Sequence, residues 1–540
     1  MPAGVSVVVI AYNDAGLVGQ AVASALDQGP EVTEVVAVDD ASTDGTGALL
    51  DELAAREPRL VVLRRTENSG GCGTPRNDGL RAARGRYVMF LDSDDVLPPG
   101  AVRTLLDAAA RHQAPVAAGR CVRRELPGGA ETPWQRELFL QETVHRDPQR
   151  NPRLVRDTLC VNKLYARDFL LGHGITFPEG AYHYEDFVFS ARVLAAADRL
   201  VAVPDTVYVW NVRRASAEPS ISLDRDGVRN WHSRLRAHAD AVRVLEEADH
   251  KLLAHAARTK FLDHDLRMYV RELPGRSDDY QRQWWQATRE HLARFDEADL
   301  RAARAPGRWL ARVVTASQMP RDLTRMAELA ARPARLLPPY ATRRGRPVWS
   351  QELPEVRLDG VESKPIYRLP LTVEAEMSSR SRLRVRVHDL YGRLAGAGVS
   401  CVDVELRHRT DGRLGQTRNA RPDRDGGGWA AGLTLDLQSL ADRSAPAGGP
   451  LDTWDVYARI RCANGRSLYT AVRPAGGASM RRTAVASRRH GLLLVQPYAT
   501  HRGSLALRVA PGLRGAWHVV AGKARRLVPA RLRRLTARAH

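Results

Sequence analysis

The feature that most constrains this chain is an alternation of short apolar runs and helix-like segments over its first 115 residues. The apolar runs lie at residues 5–10, 34–38, 60–63 and 87–91. Near-continuous apolar strands that alternate with helices predict a mainly parallel sheet covered on both faces. Ligands of such α/β sheets bind outside the carboxyl ends of the strands. We therefore predict an α/β domain with its functional site at that edge.

Polar clusters follow three of these runs, namely Tyr12-Asn13-Asp14, Asp39-Asp40 and Asp92-Ser93-Asp94-Asp95. The carboxylates of Asp92 and Asp94, one residue apart on a strand-end turn, can project toward one point. Mg²⁺ prefers one or two protein carboxylates together with substrate phosphates. Most isolated Asp-x-Asp pairs are solvated turns, so the interpretation depends on the motifs around this one.

The rest of the chain changes character twice. Residues 231–345 are helical in pattern, and residues 346–512 contain short alternating runs at 382–388, 402–408, 433–437, 456–460 and 505–509. These runs favour antiparallel β-sandwich modules. Residues 513–540 contain eight basic and no acidic residues. This tail either lies on an anionic membrane or is a solvated chain end. We predict four regions: 1–230, 231–345, 346–512 and 513–540.

Charge is distributed unevenly along the chain, which has a net charge of +20. Residues 1–230 carry 26 Lys and Arg against 31 Asp and Glu, whereas the remainder carries 56 against 31. A basic remainder favours polyanions or an anionic membrane surface as partners.

No apolar run approaches the ~18 residues of a membrane span, and the first apolar run is too short for a signal peptide. Five cysteines without a C-x-x-C pair fit a reducing compartment. We expect a cytoplasmic protein that contacts the inner face of the plasma membrane peripherally.

Several motifs follow one another along the chain. In order they are Asp39-Asp40, Arg76-Asn77-Asp78-Gly79, Asp92-Ser93-Asp94, Asn162-Lys163-Leu164-Tyr165 and Glu185-Asp186. This ordered set resembles glycosyltransferase family 2, over about residues 4–225. The resemblance implies the GT-A fold of nucleotide-diphospho-sugar transferases. It also implies an inverting, metal-dependent glycosyltransferase that uses a nucleotide-sugar donor.

The same resemblance implies roles for the acidic residues. Asp186 would be the catalytic base that takes a proton from the acceptor hydroxyl, with Glu185 supporting it. A carboxylate suits this role when it is held within hydrogen-bond reach of that proton. Asp94, together with Asp92, would ligate Mn²⁺ or Mg²⁺. His183, near the base, either touches the acceptor or packs.

The resemblance also implies a donor-binding set. Tyr12 would stack on the nucleotide base and Asp40 would hydrogen-bond to it, while Arg76 would contact the base or a phosphate. Asp92 would hold the ribose. Arg213 is expected to clamp the donor diphosphate, since a guanidinium fork matches phosphate oxygens.

The order of regions is similar to that of the bacterial poly(ribitol-phosphate) β-N-acetylglucosaminyltransferases, which decorate wall teichoic acid. That similarity implies a UDP-sugar donor, an anionic wall polymer or cell-surface glycan as acceptor, and C-terminal immunoglobulin-like sandwiches that assemble a trimer. The Gln-x-x-Arg-Trp signature of processive synthases is absent from the expected region, which favours addition of single sugars.

Two other classes compete with this interpretation. A catalytically weak scaffold could use its basic C-terminal β modules to bind polyanions. Nucleic acid is not expected as a partner, because aromatic residues are only 6% of the chain and no helix-turn-helix, zinc-finger or RNA-binding signature is present.

Overall fold

The computed structural model describes residues 4–213, 225–377, 381–442, 452–463, 465–475, 482–500 and 503–512. The chain forms two compact units, Met1–Asp265 with Ser277–Ala303 and Leu266–Arg276 with Arg304–His540. The predicted basic tail, residues 513–540, lies outside the described residues.

The strands are numbered in chain order. They are β1 Val5–Ala11, β2 Val32–Asp39, β3 Leu60–Arg64, β4 Tyr87–Asp92, β5 Val116–Leu126, β6 Ala130–Pro133, β7 Thr143–Arg146, β8 Lys163–Ala166, β9 Arg199–Arg213, β10 Thr342–Arg343, β11 Arg346–Pro347, β12 Val373–Met377, β13 Arg382–His388, β14 Val399–His408, β15 Leu414–Ala420, β16 Asp423–Asp425, β17 Gly428–Thr434, β18 Asp452–Cys462, β19 Ser467–Ala471, β20 Arg473–Pro474, β21 Thr483–Ser487, β22 Gly491–Ala499 and β23 Leu505–Pro511.

The α-helices are numbered in the same way. They are α1 Val18–Leu26, α2 Thr46–Ala54, α3 Gly73–Ala82, α4 Ala101–His112, α5 Arg167–Gly172, α6 Glu185–Ala196, α7 Val228–Glu247, α8 Lys251–Lys260, α9 Leu266–Val270, α10 Asp278–Leu292, α11 Glu297–Ala302, α12 Ala305–Ala316, α13 Leu323–Ala330, α14 Arg393–Ala397 and α15 Leu437–Asp442.

The first unit is built on one sheet with the strand order β3-β2-β1-β4-β8-β5-β9-β7, and β6 pairs with β5. Strands β3, β2, β1 and β4 are mutually parallel, as the alternating pattern predicts. Every residue of β1 is buried, because helices cover both faces of a sheet of this kind. The α/β class expected for the N-terminal part of the chain is confirmed.

The register of the central strands brings the acidic clusters together. Ala11 at the end of β1 pairs with Asp39 of β2, and Ile10 pairs with Asp92 of β4. Asp39 and Asp92 each end their strand. The carboxyl ends of three neighbouring strands therefore present polar side chains at one edge, where α/β sheets bind ligands.

Helices α7, α8, α10 and α11 complete the first unit around a core of aromatic side chains. The rings of Trp231 on α7 and Trp284 on α10 are stacked, with centroids 5.5 Å apart. Between α8 and α9, residues Phe261–Asp265 form a π-helical turn. The predicted helical region 231–345 thus contains most of α7, all of α8–α13 and the short strand β10, and its helices are divided between the two units. None of the helices in the described ranges has the length and apolarity that a membrane crossing requires.

The second unit contains a two-stranded sheet, β10-β11, and two larger sheets of mainly antiparallel strands. Within the described residues their orders are β16-β17-β13-β12-β20 and β15-β14-β18-β23-β22-β21, with β19 paired to β18. Four of the five predicted alternating runs lie within strands. The run at 433–437 is the exception, because β17 ends at Thr434 and α15 begins at Leu437. Asp436 interrupts the strand: its carboxylate accepts the Ser439 N–H at 3.1 Å, a side-chain cap for a helix start.

Candidate functional site

The site lies at the carboxyl edge of the sheet in the first unit. Tyr12 follows β1, Asp40 follows β2, Asp92 ends β4 with Asp94 in the following turn, and Arg213 ends β9. Arg76 lies on α3, and Glu185 and Asp186 are the first two residues of α6. The structure groups the predicted residues into a carboxylate cluster around Arg76, an acidic turn after β4, and a more distant set at Tyr12 and Asp40.

The guanidinium of Arg76 is the centre of the carboxylate cluster. Its Nη2 donates to Asp92 Oδ1 at 2.6 Å, and its Nη1 donates to Glu185 and, at 3.3 Å, to Asp186 Oδ1. Arg76 is only 3% exposed. These bonds join the end of β4 to the first turn of α6, residues more than 90 positions apart. The donor-binding role expected for Arg76 remains a prediction, and its terminal nitrogens lie against carboxylates.

Burial raises the proton affinity of both carboxylates on α6. It raises the pKa of Glu185 to about 7, although Arg76 opposes the shift. It also raises the pKa of Asp186, again against Arg76, and the charge of Asp92 adds to the increase. A carboxylate with a raised pKa is a stronger base, closer to the pH at which an enzyme works.

The raised pKa of Glu185 predicts a pH-dependent stability. An acid that holds its proton more tightly when folded lowers the free energy of unfolding as the pH rises between its two pKa values. For Glu185 this window runs from 4.5, its ordinary value, to about 7. We expect the wild type to lose stability relative to Glu185→Gln between about pH 5 and about pH 7, inside this window, measured by urea unfolding.

Glu179→Gln is the matched control for this measurement. The hydrogen bond from Arg81 lowers the pKa of Glu179, so its carboxylate stays ionised over the same range. Its stability difference from the wild type should be constant there. A constant difference for Glu185→Gln as well would mean that Glu185 has no raised pKa in the folded protein.

The acidic turn after β4 is held by β9. Asp95, which is buried, accepts the Tyr208 hydroxyl at 2.6 Å and the Asn211 N–H at 2.7 Å. The side-chain amide of Asn211 donates to the backbone carbonyl of Asp94 at 2.8 Å, and Arg213 Nη2 donates to Asp94 Oδ2 at 3.0 Å. No site role was predicted for the residues at 95, 208 and 211. Asp95 belongs to the acidic cluster after β4, and the other two lie within five residues of Arg213.

The charges around Asp94 fit a divalent cation. Burial and the charge of Asp92 raise the pKa of Asp94 to about 6, although Arg213 opposes this. Burial likewise raises the pKa of Asp14, whose carboxylate accepts a hydrogen bond from Ser93. Among the residues the structure describes, no group of three or more His, Cys, Asp or Glu side chains could hold a metal ion alone. The carboxylate of Asp92 is close enough for its charge to act on Asp94. Two neighbouring carboxylates are what an ion completed by substrate phosphates would need.

The residues predicted for the nucleotide base differ in exposure. Tyr12 is 48% exposed, which leaves its ring accessible for stacking. Asp40 is buried. Its carboxylate accepts the Ser69 hydroxyl at 2.7 Å and forms an ion pair with Arg65, whose Nε lies 2.9 Å from Oδ1. Asn68 Nδ2 also donates to it, at 3.1 Å. Asp40 thus orders the loop before α3, and the hydrogen bond to the base expected of it remains a prediction.

Comparisons with known proteins show which family the sequence resembles. The family model described as "Glycosyl transferase family 2" matches residues 6–170. The chain is 30% identical over 254 residues to the succinoglycan biosynthesis protein ExoO of Rhizobium meliloti, covering 45% of this chain and 67% of that protein. It is 32% identical over 214 residues to the poly(ribitol-phosphate) beta-N-acetylglucosaminyltransferase TarS of Staphylococcus aureus, covering 39% of this chain and 35% of TarS. The sequence match thus spans about a third of that relative.

Solved structures extend the comparison of folds. The crystal structure of S. aureus TarS aligns with 94% of this chain and 85% of its own, with a TM-score of 0.53 and 17% identity. The first 349 residues of TarS in complex with UDP-GlcNAc align with 64% of this chain and 97% of their own, with a TM-score of 0.51 and 22% identity. At these identities the likeness concerns the fold, including the β-rich C-terminal part.

Proposed function

The chain belongs to glycosyltransferase family 2, and from this premise we propose an inverting, metal-dependent, non-processive enzyme. It would transfer a sugar from a UDP-sugar to a hydroxyl of an anionic cell-wall polymer or cell-surface glycan. The observation that carries the proposal is the cluster around Arg76, which brings Asp186 and Glu185 beside Asp92. A base and a donor-binding carboxylate thus share one edge of the sheet.

Asp186 is the catalytic base of this proposal. The proton of the acceptor hydroxyl moves to its carboxylate as the acceptor oxygen forms a bond to the anomeric carbon. The bond from that carbon to the diphosphate oxygen breaks, and its electron pair leaves with UDP. A single base and an in-line attack invert the configuration, and the raised pKa of Asp186 suits a proton acceptor.

The donor is held by side chains around the acidic turn. Tyr12 stacks on the base, and Asp40 hydrogen-bonds to it. Arg76 contacts the base or a phosphate, Asp92 contacts the ribose, and Arg213 binds the diphosphate. Asp94, with Asp92, would hold Mn²⁺ or Mg²⁺. When bound, the ion would neutralise charge that develops on the leaving diphosphate.

The chemistry of the acceptor is proposed from charge and from the relatives. TarS is named for poly(ribitol-phosphate), and one of its structures contains UDP-GlcNAc. The surplus of Lys and Arg beyond residue 230 would attract a phosphate-rich polymer. We propose action at the cytoplasmic face of the plasma membrane, with the C-terminal sheets forming immunoglobulin-like sandwiches that assemble a trimer.

The test has two stages. Thermal shifts are first measured with UDP, GDP, CDP, dTDP and ADP, with and without Mn²⁺, because a ligand that binds the native state stabilises it in proportion to ln(1 + [L]/Kd). UDP with Mn²⁺ should give the largest shift. Transfer from UDP-GlcNAc to poly(ribitol phosphate) is then followed by UDP release. A shift with another nucleotide would overturn the UDP assignment, and no shift with any nucleotide would favour a polyanion-binding scaffold.

Replacing Asp94 should weaken metal-dependent donor binding. In Asp94→Ala we expect the Kd for UDP in the presence of Mn²⁺ to rise about tenfold or more, because a proposed ligand is lost. Titration calorimetry with and without Mn²⁺ measures the change. Asp107→Ala, at an exposed position on α4, is the control and should bind as the wild type does. Unchanged UDP affinity in Asp94→Ala would exclude Asp94 as a ligand.

A further inference from the structure

The residue immediately before the proposed base pair has an unusual backbone. Tyr184 lies just ahead of α6 with φ 65° and ψ 34°, in the left-handed region. Non-glycine residues seldom adopt this conformation, and it persists only where surrounding contacts impose it. Because Glu185 and Asp186 follow directly, the conformation of Tyr184 sets the direction in which the first turn of α6 begins.

Side chains of α7 hold Tyr184 from both its hydroxyl and its ring. The hydroxyl donates to Asn230 Oδ1 at 2.8 Å. The guanidinium carbon of Arg234 lies 4.7 Å from the centroid of the Tyr184 ring and 5.1 Å from that of Phe187 in the first turn of α6. Asn230 and Arg234 are four residues apart, so they share one face of α7. We call Asn230 and Arg234 the α7 clamp.

Asp265 holds Arg234 of the α7 clamp in position. Arg234 Nε donates to Asp265 Oδ1 at 2.7 Å, and its Nη2 donates to the same oxygen. Asp265 is 1% exposed and ends the π-helical turn, a distortion that often occurs at functional sites. Burial alone would raise the pKa of Asp265, but Arg234, His264 and Lys260 lower it to about 2. Asp265 is therefore ionised at any working pH and keeps Arg234 in place.

A second contact ties the same segment to α7. The hydroxyl of Tyr182, two residues earlier, donates to Asp240 Oδ2 at 2.7 Å. The guanidinium carbon of Arg236 lies 4.6 Å from the centroid of the Tyr182 ring. The segment that leads into Glu185 and Asp186 is thus attached to one helix at two points.

We propose that Asn230 and Arg234, braced by Asp265, are positioning residues that hold Tyr184 in its left-handed conformation and so aim the Asp186 carboxylate at the acceptor hydroxyl. This inference rests on the proposed role of Asp186 as base. It assigns to α7 a part in catalysis that is separate from donor binding. A small displacement of a catalytic group, of the order of 1 Å, can cost about 100-fold in rate, so a device of this kind has a measurable effect.

Three variants of the full-length protein test the proposal. Asn230→Leu removes the acceptor for the Tyr184 hydroxyl at similar volume, whereas Asn230→Asp retains an acceptor oxygen. His232→Leu, at an exposed position two residues away on α7, is the matched control. With UDP-GlcNAc, Mn²⁺ and poly(ribitol phosphate), Asn230→Leu should lower kcat about tenfold and leave the KM for UDP-GlcNAc within about twofold. Asn230→Asp and His232→Leu should retain wild-type kcat within about twofold.

The hydrogen bond can also be removed at its donor, by replacing Tyr184. Tyr184→Phe keeps the ring over Arg234 and should lower kcat as much as Asn230→Leu does. The double variant should be no slower than either single one, since both lose the same hydrogen bond. Wild-type kcat in Asn230→Leu, or a rise in KM without a fall in kcat, would overturn the proposal.

A measurement that needs no turnover separates this proposal from the proposed function. Amide hydrogen exchange should become faster at residues 182–188 in Asn230→Leu and remain unchanged in β1 and α4. If the wild type shows no transfer, the proposed function fails, and the exchange result still decides whether the clamp holds the first turn of α6. Unchanged exchange at residues 182–188 would overturn the clamp.

Discussion

Asp186→Asn is expected to lower kcat by about 10²–10⁴-fold while the Kd for UDP with Mn²⁺ stays within about twofold of the wild type. An amide has nearly the same shape as the carboxylate and can still accept from Arg76, but it cannot take a proton from the acceptor hydroxyl. General base catalysis contributes an effect of this size. Single-turnover transfer measures the rate, and titration calorimetry measures UDP binding.

The control for this variant is Asp168→Asn, an equivalent change at an exposed position on α5. It should leave both kcat and UDP binding at the wild-type level. Two results would count against Asp186 as the base: retained turnover in Asp186→Asn, or a loss of UDP binding as large as the loss of turnover. The second would indicate that Asp186 acts on the donor.

Arg76→Met is expected to reduce the free energy of unfolding by about 3–5 kcal/mol, the usual cost of removing one partner from a buried ionic group. Arg76 is surrounded by the carboxylates of Asp92, Glu185 and Asp186. Without the guanidinium, their charges lie close together with no compensating cation. Protonation relieves that repulsion, so the loss should be smaller at low pH than at neutral pH.

Arg81→Met is the control, because Arg81 lies on the same helix as Arg76. Urea unfolding measures the free energy of unfolding of both variants. Arg81 also pairs with two carboxylates, those of Asp78 and Glu179, but its side chain is 56% exposed. Exposed ion pairs contribute about 0–1 kcal/mol, so Arg81→Met should be nearly neutral. Adding Glu185→Gln to Arg76→Met should restore part of the lost stability. A loss of stability in Arg76→Met as small as that in Arg81→Met would show that the Arg76 cluster does not stabilise the fold.

The sheet and the edge at which the acidic residues gather were predictable because both depend on local patterns. A run such as residues 5–10 has to be buried on both faces, and polar residues can follow it only at the end of the strand. The order of the motifs identified the family from the same residues. The run at 433–437 was predicted incorrectly, because the prediction used its periodicity and did not consider that the side chain of Asp436 can cap a helix.

The surroundings of the site residues could not be predicted in this way. Arg76 was expected to contact the donor, but nothing near it in sequence indicates Glu185, 109 residues away. Asp95 was seen only as a neighbour of Asp94, and its partners Tyr208 and Asn211 lie more than 110 residues away on β9.

The sequence by itself determined the α/β class of the first unit, the edge at which its acidic residues gather, the antiparallel character of the second unit, and the family. Local hydrophobic periodicity and motif order carry that information. Only the tertiary structure showed that Arg76 pairs with the carboxylates, that β9 holds the acidic turn and that α7 contacts Tyr184. Those contacts depend on the distance between side chains from remote segments, and burial makes each of them strong because little water remains to screen the charges.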